Sequence, residues 1–140
     1  MIIVRPATHD DLTFVSDASL QLGNETAWRD VNLLQTYGDG LARILELIDD
    51  DSILVAVAED ETHPVGCLIG EVVNHILIPQ ARYLYEHVLY VEPRYRRKRA
   101  GVRLWHYAKA WAQARGADRG IYGKPKLDNT TKSVVKTTIN

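Results

Sequence analysis

Six basic residues, Arg94, Arg96, Arg97, Lys98, Arg99 and Arg103, crowd into one short stretch of this chain, with Gly101 among them. Their neighbours give the cluster its meaning. Tyr83 to Val91 is rich in Tyr, Leu and Val and ends at Pro93, the pattern of a β-strand. Gly101, Leu104, Trp105, Ala108, Trp111 and Ala112 recur at spacings of three and four, which predicts an amphipathic helix from Gly101 to Arg115, stopped by Gly116. Strand, basic glycine-bearing turn and helix, in that order, suit the binding of phosphate. The first turn of a helix has backbone N–H groups without partners and carries the positive end of the helix dipole. Gly101 lets a bulky anion approach the backbone, and the cations add a screened attraction. A diphosphate fits this arrangement, although spacing alone does not say which one. Taken by itself, the charge cluster also reads as a solvated face or a nucleic-acid patch. The strand, Pro93, Tyr95 and the glycine-started helix favour the phosphate.

Other chemistry is sparsely represented. Cys67 is the single cysteine, so no intramolecular disulfide or zinc framework is available, and its apolar surroundings predict a buried, inert thiol. His63, His75 and His106 lack ligand spacing, and no metal is expected. Trp105 and Trp111 read as core anchors of the helix. Trp28 and Tyr37 stand in a less regular stretch, where they would either line a pocket or pack in the core.

The elements that must position the basic turn follow from pattern. Ile2 to Arg5 is a β-branched strand closed by Pro6, and Thr8 with Asp11 caps a helix carrying Leu12, Val15, Ser19 and Leu22, with Gly23 as its stop. Leu41, Ile44, Leu45 and Ile48 mark a second helix, followed by the acidic run Asp49 to Asp51. Ile53 to Ala58 is a buried strand, and Val65 to Ile78 is another, bent or bulged near Gly66 or Gly70. Short connections among these two strands and Tyr83 to Val91 imply an antiparallel meander. Arg119 to Tyr122 follows a helix and is expected to lie parallel to the strand before it. From Leu127 to Thr137 the pattern is weak, with Asp128 or Asn129 able to cap a short helix.

The chain has 140 residues, 46% of them hydrophobic and 25% charged, which predicts one soluble domain spanning 1–140 with a core of its own. A formal net charge of −1 gives no global field toward nucleic acid or membrane. No apolar run approaches the ~20 residues of a membrane span, and no signal-peptide pattern is present, so a cytoplasmic location is expected.

Val91-Glu92-Pro93-Arg94-Tyr95-Arg96 resembles the V-x-P-x-Y-R lead-in to motif A of the GNAT superfamily of N-acetyltransferases. Arg96-Arg97-Lys98-Arg99-Ala100-Gly101 is similar to its Q/R-x-x-G-x-G/A loop, and Gly101-Val102-Arg103-Leu104 to the G-x-x-L that opens its helix. Arg96 takes the Q/R position and Gly101 the second glycine. Arg99 stands where the first glycine is usual, so a side chain there must tolerate the loop's backbone geometry. Relatives that include phage-borne ones read R-A-G at that place. The resemblance covers about Ile2 to Asn129 and implies an α/β (α+β) fold with a central mixed, mostly antiparallel sheet flanked by helices.

It also implies a function, acetyl transfer from acetyl-CoA to a primary amine by direct attack on the thioester. A bulged strand would splay from its parallel neighbour and admit the pantetheine arm beside the backbone of Leu89, Tyr90 and Val91. The Val91 amide would polarise the thioester carbonyl. Amides of Arg97, Lys98, Arg99, Ala100, Gly101 and Val102, with Arg96 at the loop's start, would bind the pyrophosphate, and Asn129 would sit beside the cofactor. Glu86 and Glu71 are the leading bases for the acceptor ammonium, with His87 and Tyr85 as further candidates. Alternation puts Tyr85 and His87 on one face and Glu86 on the other unless a bulge inverts this. Family members usually continue past this point with a Tyr-bearing segment and two more strands, whereas the sequence stops at Asn140. The expected consequences are a missing C-terminal strand pair, an incomplete acceptor pocket or one completed by a partner chain, and a sheet edge that favours a homodimer. Acceptors range from small amines to proteins. A CoA-binding or interaction module without turnover, and a nucleic-acid binder using Arg94 to Arg103, are the alternatives.

Overall fold

The computed structural model describes residues 1–25, 37–117, 121–124 and 134–137. Strand β1 (Ile2–Pro6) leads through a single 3-10 turn into helix α1 (Leu12–Asn24), and helix α2 (Tyr37–Asp49) precedes the meander β2 (Ile53–Asp60), β3 (His63–Asn74) and β4 (Arg82–Val91). Helix α3 (Ala100–Ala114) then crosses to β5 (Ile121–Lys124), and β6 (Val134–Thr137) follows. Among the described residues the six strands form one sheet in chain order. Only β4 and β5 are parallel, the pairing that requires a crossover, and α3 supplies it. The expected mixed, mostly antiparallel sheet flanked by helices is the observed fold.

Both faces of the sheet are covered. Leu54, Ala56, Ala58, Leu68, Leu84 and Val91 pack with Ala100, Leu104, Ala108 and Ala112 of α3. On the other face Val55, Val57, Cys67, Ile69 and Tyr90 pack with Val15 and Ala18 of α1 and Ile44 of α2. Strand β2 therefore reads as an unbroken apolar run, because alternate side chains enter different cores. Burial pushes the Cys67 thiol up to about 12, which keeps it protonated and inert as its surroundings implied. No helix among the described residues is long and apolar enough to cross a membrane.

Two expectations need correction. Strand β3 ends at Asn74 rather than Ile78, because His75 Nδ1 accepts the amides of Leu77 and Ile78 at 3.0 and 3.2 Å and turns the chain. The sheet also gains a strand after β5 where none was expected, because the tail of the weakly patterned segment, Val134–Thr137, pairs antiparallel with β5. Its β-branched valines and threonine favour extended backbone over helix. The glycine-associated irregularities do occur. The β2–β3 register shifts at Ala58/Glu59, beside Gly66, and the β3–β4 register shifts at Ile69/Gly70.

The entry to α1 is pinned by charge. Arg5 grips Asp11 with two hydrogen bonds of 2.7 and 3.0 Å, and the Thr8 amide donates to the same carboxylate at 2.8 Å. Burial alone would raise the Asp11 carboxyl. The bonds from Arg5 and Thr8 and the Arg5 charge outweigh it and hold Asp11 below its usual value. A folded-state value below the unfolded one adds stability at neutral pH that is lost as pH falls below about 4. Asp11→Asn is therefore expected to cost about 2 kcal/mol at pH 7, less than a fully buried pair because Arg5 is partly solvated. Urea midpoints from pH 7 to pH 3 should show the gap to wild type narrowing below pH 4. A gap that stays constant across that range refutes the assignment.

Candidate functional site

The basic turn lies between β4 and α3. Glu92, Pro93, Arg94 and Tyr95 close a single 3-10 turn, with the Tyr95 amide on the Glu92 carbonyl at 2.8 Å. Arg99 then starts α3 from a left-handed backbone, φ 67°. That conformation costs a side-chain-bearing residue about 1–2 kcal/mol and is the one glycine adopts freely. It is also the geometry expected of this motif position, so arginine occupies a glycine-shaped site.

Partners for the turn's amides separate its residues. The Arg96 amide is held by the Pro93 carbonyl and the Lys98 amide by the Tyr95 carbonyl, at 3.3 and 3.1 Å. Within α3 the first closing bond runs from the Arg103 amide to the Arg99 carbonyl at 2.9 Å. Among the described residues, the amides of Arg97, Arg99, Ala100, Gly101 and Val102 meet no backbone acceptor, and Arg99 makes no side-chain cap. Five N–H groups are left around one helix start, where the dipole is positive.

The cations divide in the same way. Arg96 was expected at the phosphate, yet its Nε donates to the Val91 carbonyl and its Nη2 to Glu25, both at 2.8 Å, while the guanidinium lies 5.6 Å from the Tyr90 ring centre. It braces the end of β4 against the end of α1. Glu25 lies 71 residues away in sequence, and no sequence signal marks it as this brace. Burial and then the Glu25 carboxylate push the Tyr90 phenol up despite Arg96, so it stays neutral. Arg94 and Lys98 each lie 5.2 Å from the Tyr95 ring. Arg103 donates to the Ile2 carbonyl and borders a groove of about 500 Å³ between β1 and α3, which Arg99 and Val102 share.

Beside the turn, one edge of β4 has no partner strand among the described residues. The Glu92 amide bonds the Val65 carbonyl at 2.8 Å. Antiparallel alternation then turns the backbone groups of Tyr90 and Val88 toward β3 and those of Leu89 and Val91 away from it. On the side where they point, β5 pairs with β4 only at Leu84 and Tyr85 among the described residues. Among the described residues, this leaves a gap beside the Leu89 groups and the Val91 amide, along the part of β4 that leads to the basic turn. Of the three residues expected there, Tyr90 turns its backbone into the ladder.

The β3–β4 register sorts the carboxylates. Ile69 pairs with Val88 and Gly70 with Glu86, leaving His87 as the extra residue of β4. Glu86 stays on the α3 face with Leu84 and is only 4% exposed. His87 joins Tyr85 on the opposite face, with ring centres 4.6 Å apart. Glu71, across from Tyr85, meets it there, with Oε1 2.9 Å from His87 Nε2. The two carboxylates expected as bases therefore lie on opposite faces of the sheet. Asn129 and Trp28 lie outside the described residues.

A family model described as acetyltransferase (GNAT) family matches residues 21–131. Comparison with curated proteins finds no match. Among solved structures, a GCN5-related N-acetyltransferase from Ralstonia eutropha JMP134 is similar at 26% identity and TM-score 0.70, over 83% of this chain and 78% of that one. A transcriptional regulator from Bacillus halodurans C-125 gives TM-score 0.72 at 17% identity, over 93% and 84%. A predicted acetyltransferase with acetyl-CoA from Clostridium acetobutylicum gives TM-score 0.70 at 12% identity, over 94% and 84%.

Proposed function

We propose that this chain, which belongs to the acetyltransferase (GNAT) family, transfers an acetyl group from acetyl-CoA to a primary amine by direct attack of the neutral amine on the thioester. The observation that carries this reading is two neighbouring backbone sets that meet no backbone partner among the described residues. They are the helix-start amides of Arg97 and Arg99 to Val102 and, at the edge of β4, the Leu89 groups with the Val91 amide. The first would hold the pyrophosphate, with Arg97 and Arg99 adding charge. The second would hold the pantetheine as an added strand. The Val91 amide would stabilise the oxyanion as the carbonyl becomes tetrahedral.

Orientation would supply much of the rate, because the amine and the thioester carbon meet as a bound pair rather than by collision. Attack requires a deprotonated amine, so a base facing the gap completes the mechanism. Calorimetry with acetyl-CoA and CoA is expected to give dissociation constants in the micromolar range. No heat at millimolar ligand would remove the reading. Binding without thiol release over a panel of amines would leave a CoA-binding module in its place.

A further inference from the structure

We propose that His87, oriented by Glu71, is the base that takes the proton from the acceptor ammonium. This rests on the acetyl-transfer reading and names the group that the reading leaves open.

Several observations converge on this pair. His87, at the bulge, lies two residues beyond Tyr85, the last β4 residue paired with β5 among the described residues, and two before Leu89, whose backbone faces the gap. Strand alternation puts the imidazole on the face opposite Glu86. The His87 side chain is 43% exposed and that of Glu71 33%, so a soluble amine can reach the pair. An ionised carboxylate only accepts hydrogen bonds, so Glu71 Oε1 at 2.9 Å selects the imidazole form with its proton on Nε2. The lone pair is then on Nδ1, which has no protein partner among the described residues. Tyr85, in ring contact at 4.6 Å, limits rotation of the imidazole. Glu86, by contrast, is buried on the other face of the sheet.

The step balances simply. Nδ1 takes one proton from R–NH3⁺, the amine nitrogen bonds the carbonyl carbon, the C–S bond breaks and its electron pair leaves as thiolate. The thiolate gains a proton, and the products are R–NH–acetyl, free thiol and one released proton. His87 acts on the substrate, whereas Glu71 is a positioning residue.

The test uses the full chain with spermidine, lysinamide and a dipeptide with a free N-terminus as amine probes. Thiol release and acetyl-CoA calorimetry are read in parallel. His87→Ala is expected to lower kcat about 100-fold with acetyl-CoA affinity within twofold of wild type, and added imidazole should restore part of the loss. Glu71→Gln should lower kcat about tenfold without changing KM for acetyl-CoA, and should cost nothing further in a His87→Ala background. His87→Ala activity within threefold of wild type overturns the proposal. So does a loss that tracks acetyl-CoA affinity or resists imidazole, and so does a wild-type chain that binds acetyl-CoA but acetylates none of the probes. Failure of the wild type to bind acetyl-CoA defeats the transferase reading itself and is seen by calorimetry alone.

Discussion

Gly101→Ala is expected to weaken acetyl-CoA binding about tenfold, a change of roughly 1.4 kcal/mol, while the chain folds at least as well as before. A Cβ built at Gly101 meets only Val91 Cγ2, at 3.7 Å, an ordinary contact. Alanine is also the better helix former, so a small gain of up to about 0.5 kcal/mol is expected near the start of α3. Protein packing therefore does not explain a glycine here. The added methyl would instead stand between the first turn of α3 and the end of β4, where the amides of Ala100, Gly101 and Val102 meet no backbone acceptor among the described residues. A melting temperature that holds or rises, together with a tenfold weaker dissociation constant, would identify this backbone as a ligand surface. An unchanged dissociation constant would mean that the phosphate group binds elsewhere.

The second large effect is structural. Gly66→Val should destabilise the chain by about 3 kcal/mol, the upper range for overpacking a core. A Cβ there would lie 2.9 Å from the Tyr90 carbonyl oxygen and 3.2 Å from both Leu104 Cδ1 and Val91 Cγ2. The first contact is backbone in the central β3–β4 pair, so no side-chain rotation relieves it. For a chain of this size the melting temperature should fall by about 10 °C. Because Tyr90 and Val91 must move, acetyl-CoA affinity should fall as well. Gly101→Ala loses affinity without losing stability, and Gly66→Val loses both. If Gly66→Val melts within 2 °C of wild type, the close approach of β4 and α3 to this glycine is wrong.

Much of the scaffold was legible because it rests on local rules. The three-and-four spacing after Gly101 marks α3, the β-branched density of Ile53 to Ala58 marks β2, and a helix between two strands implies the parallel β4–β5 pair. The oddity of Arg99 was also visible, since the motif calls for glycine, and φ 67° is the backbone reason. The ends of elements were harder to read. His75 stops β3 through a side-chain bond that apolar pattern does not reveal, and the β-branched tail at Val134–Thr137 is a strand because β5 offers it an edge to pair with. Arg96 shows the same limit at the site. Its type and position suggested an anion partner, but its guanidinium reaches Glu25 across the fold.

The order of residues by itself determined that a strand delivers a basic, glycine-bearing turn to a helix start, since propensity, periodicity and the dipole act over a few neighbouring positions. Only the tertiary structure decided which carboxylate meets His87 and which is buried. Alternation along β4 sets Tyr85 and His87 on one face and Glu86 on the other. The β3–β4 register adds that Glu71 lies across from Tyr85 and meets His87 while Glu86 is buried, and the extra residue changes the face only from Val88 onward. A two-residue side-chain period makes the outcome of a single insertion all-or-none, and its position depends on how β3 and β4 come into register, which no local pattern encodes.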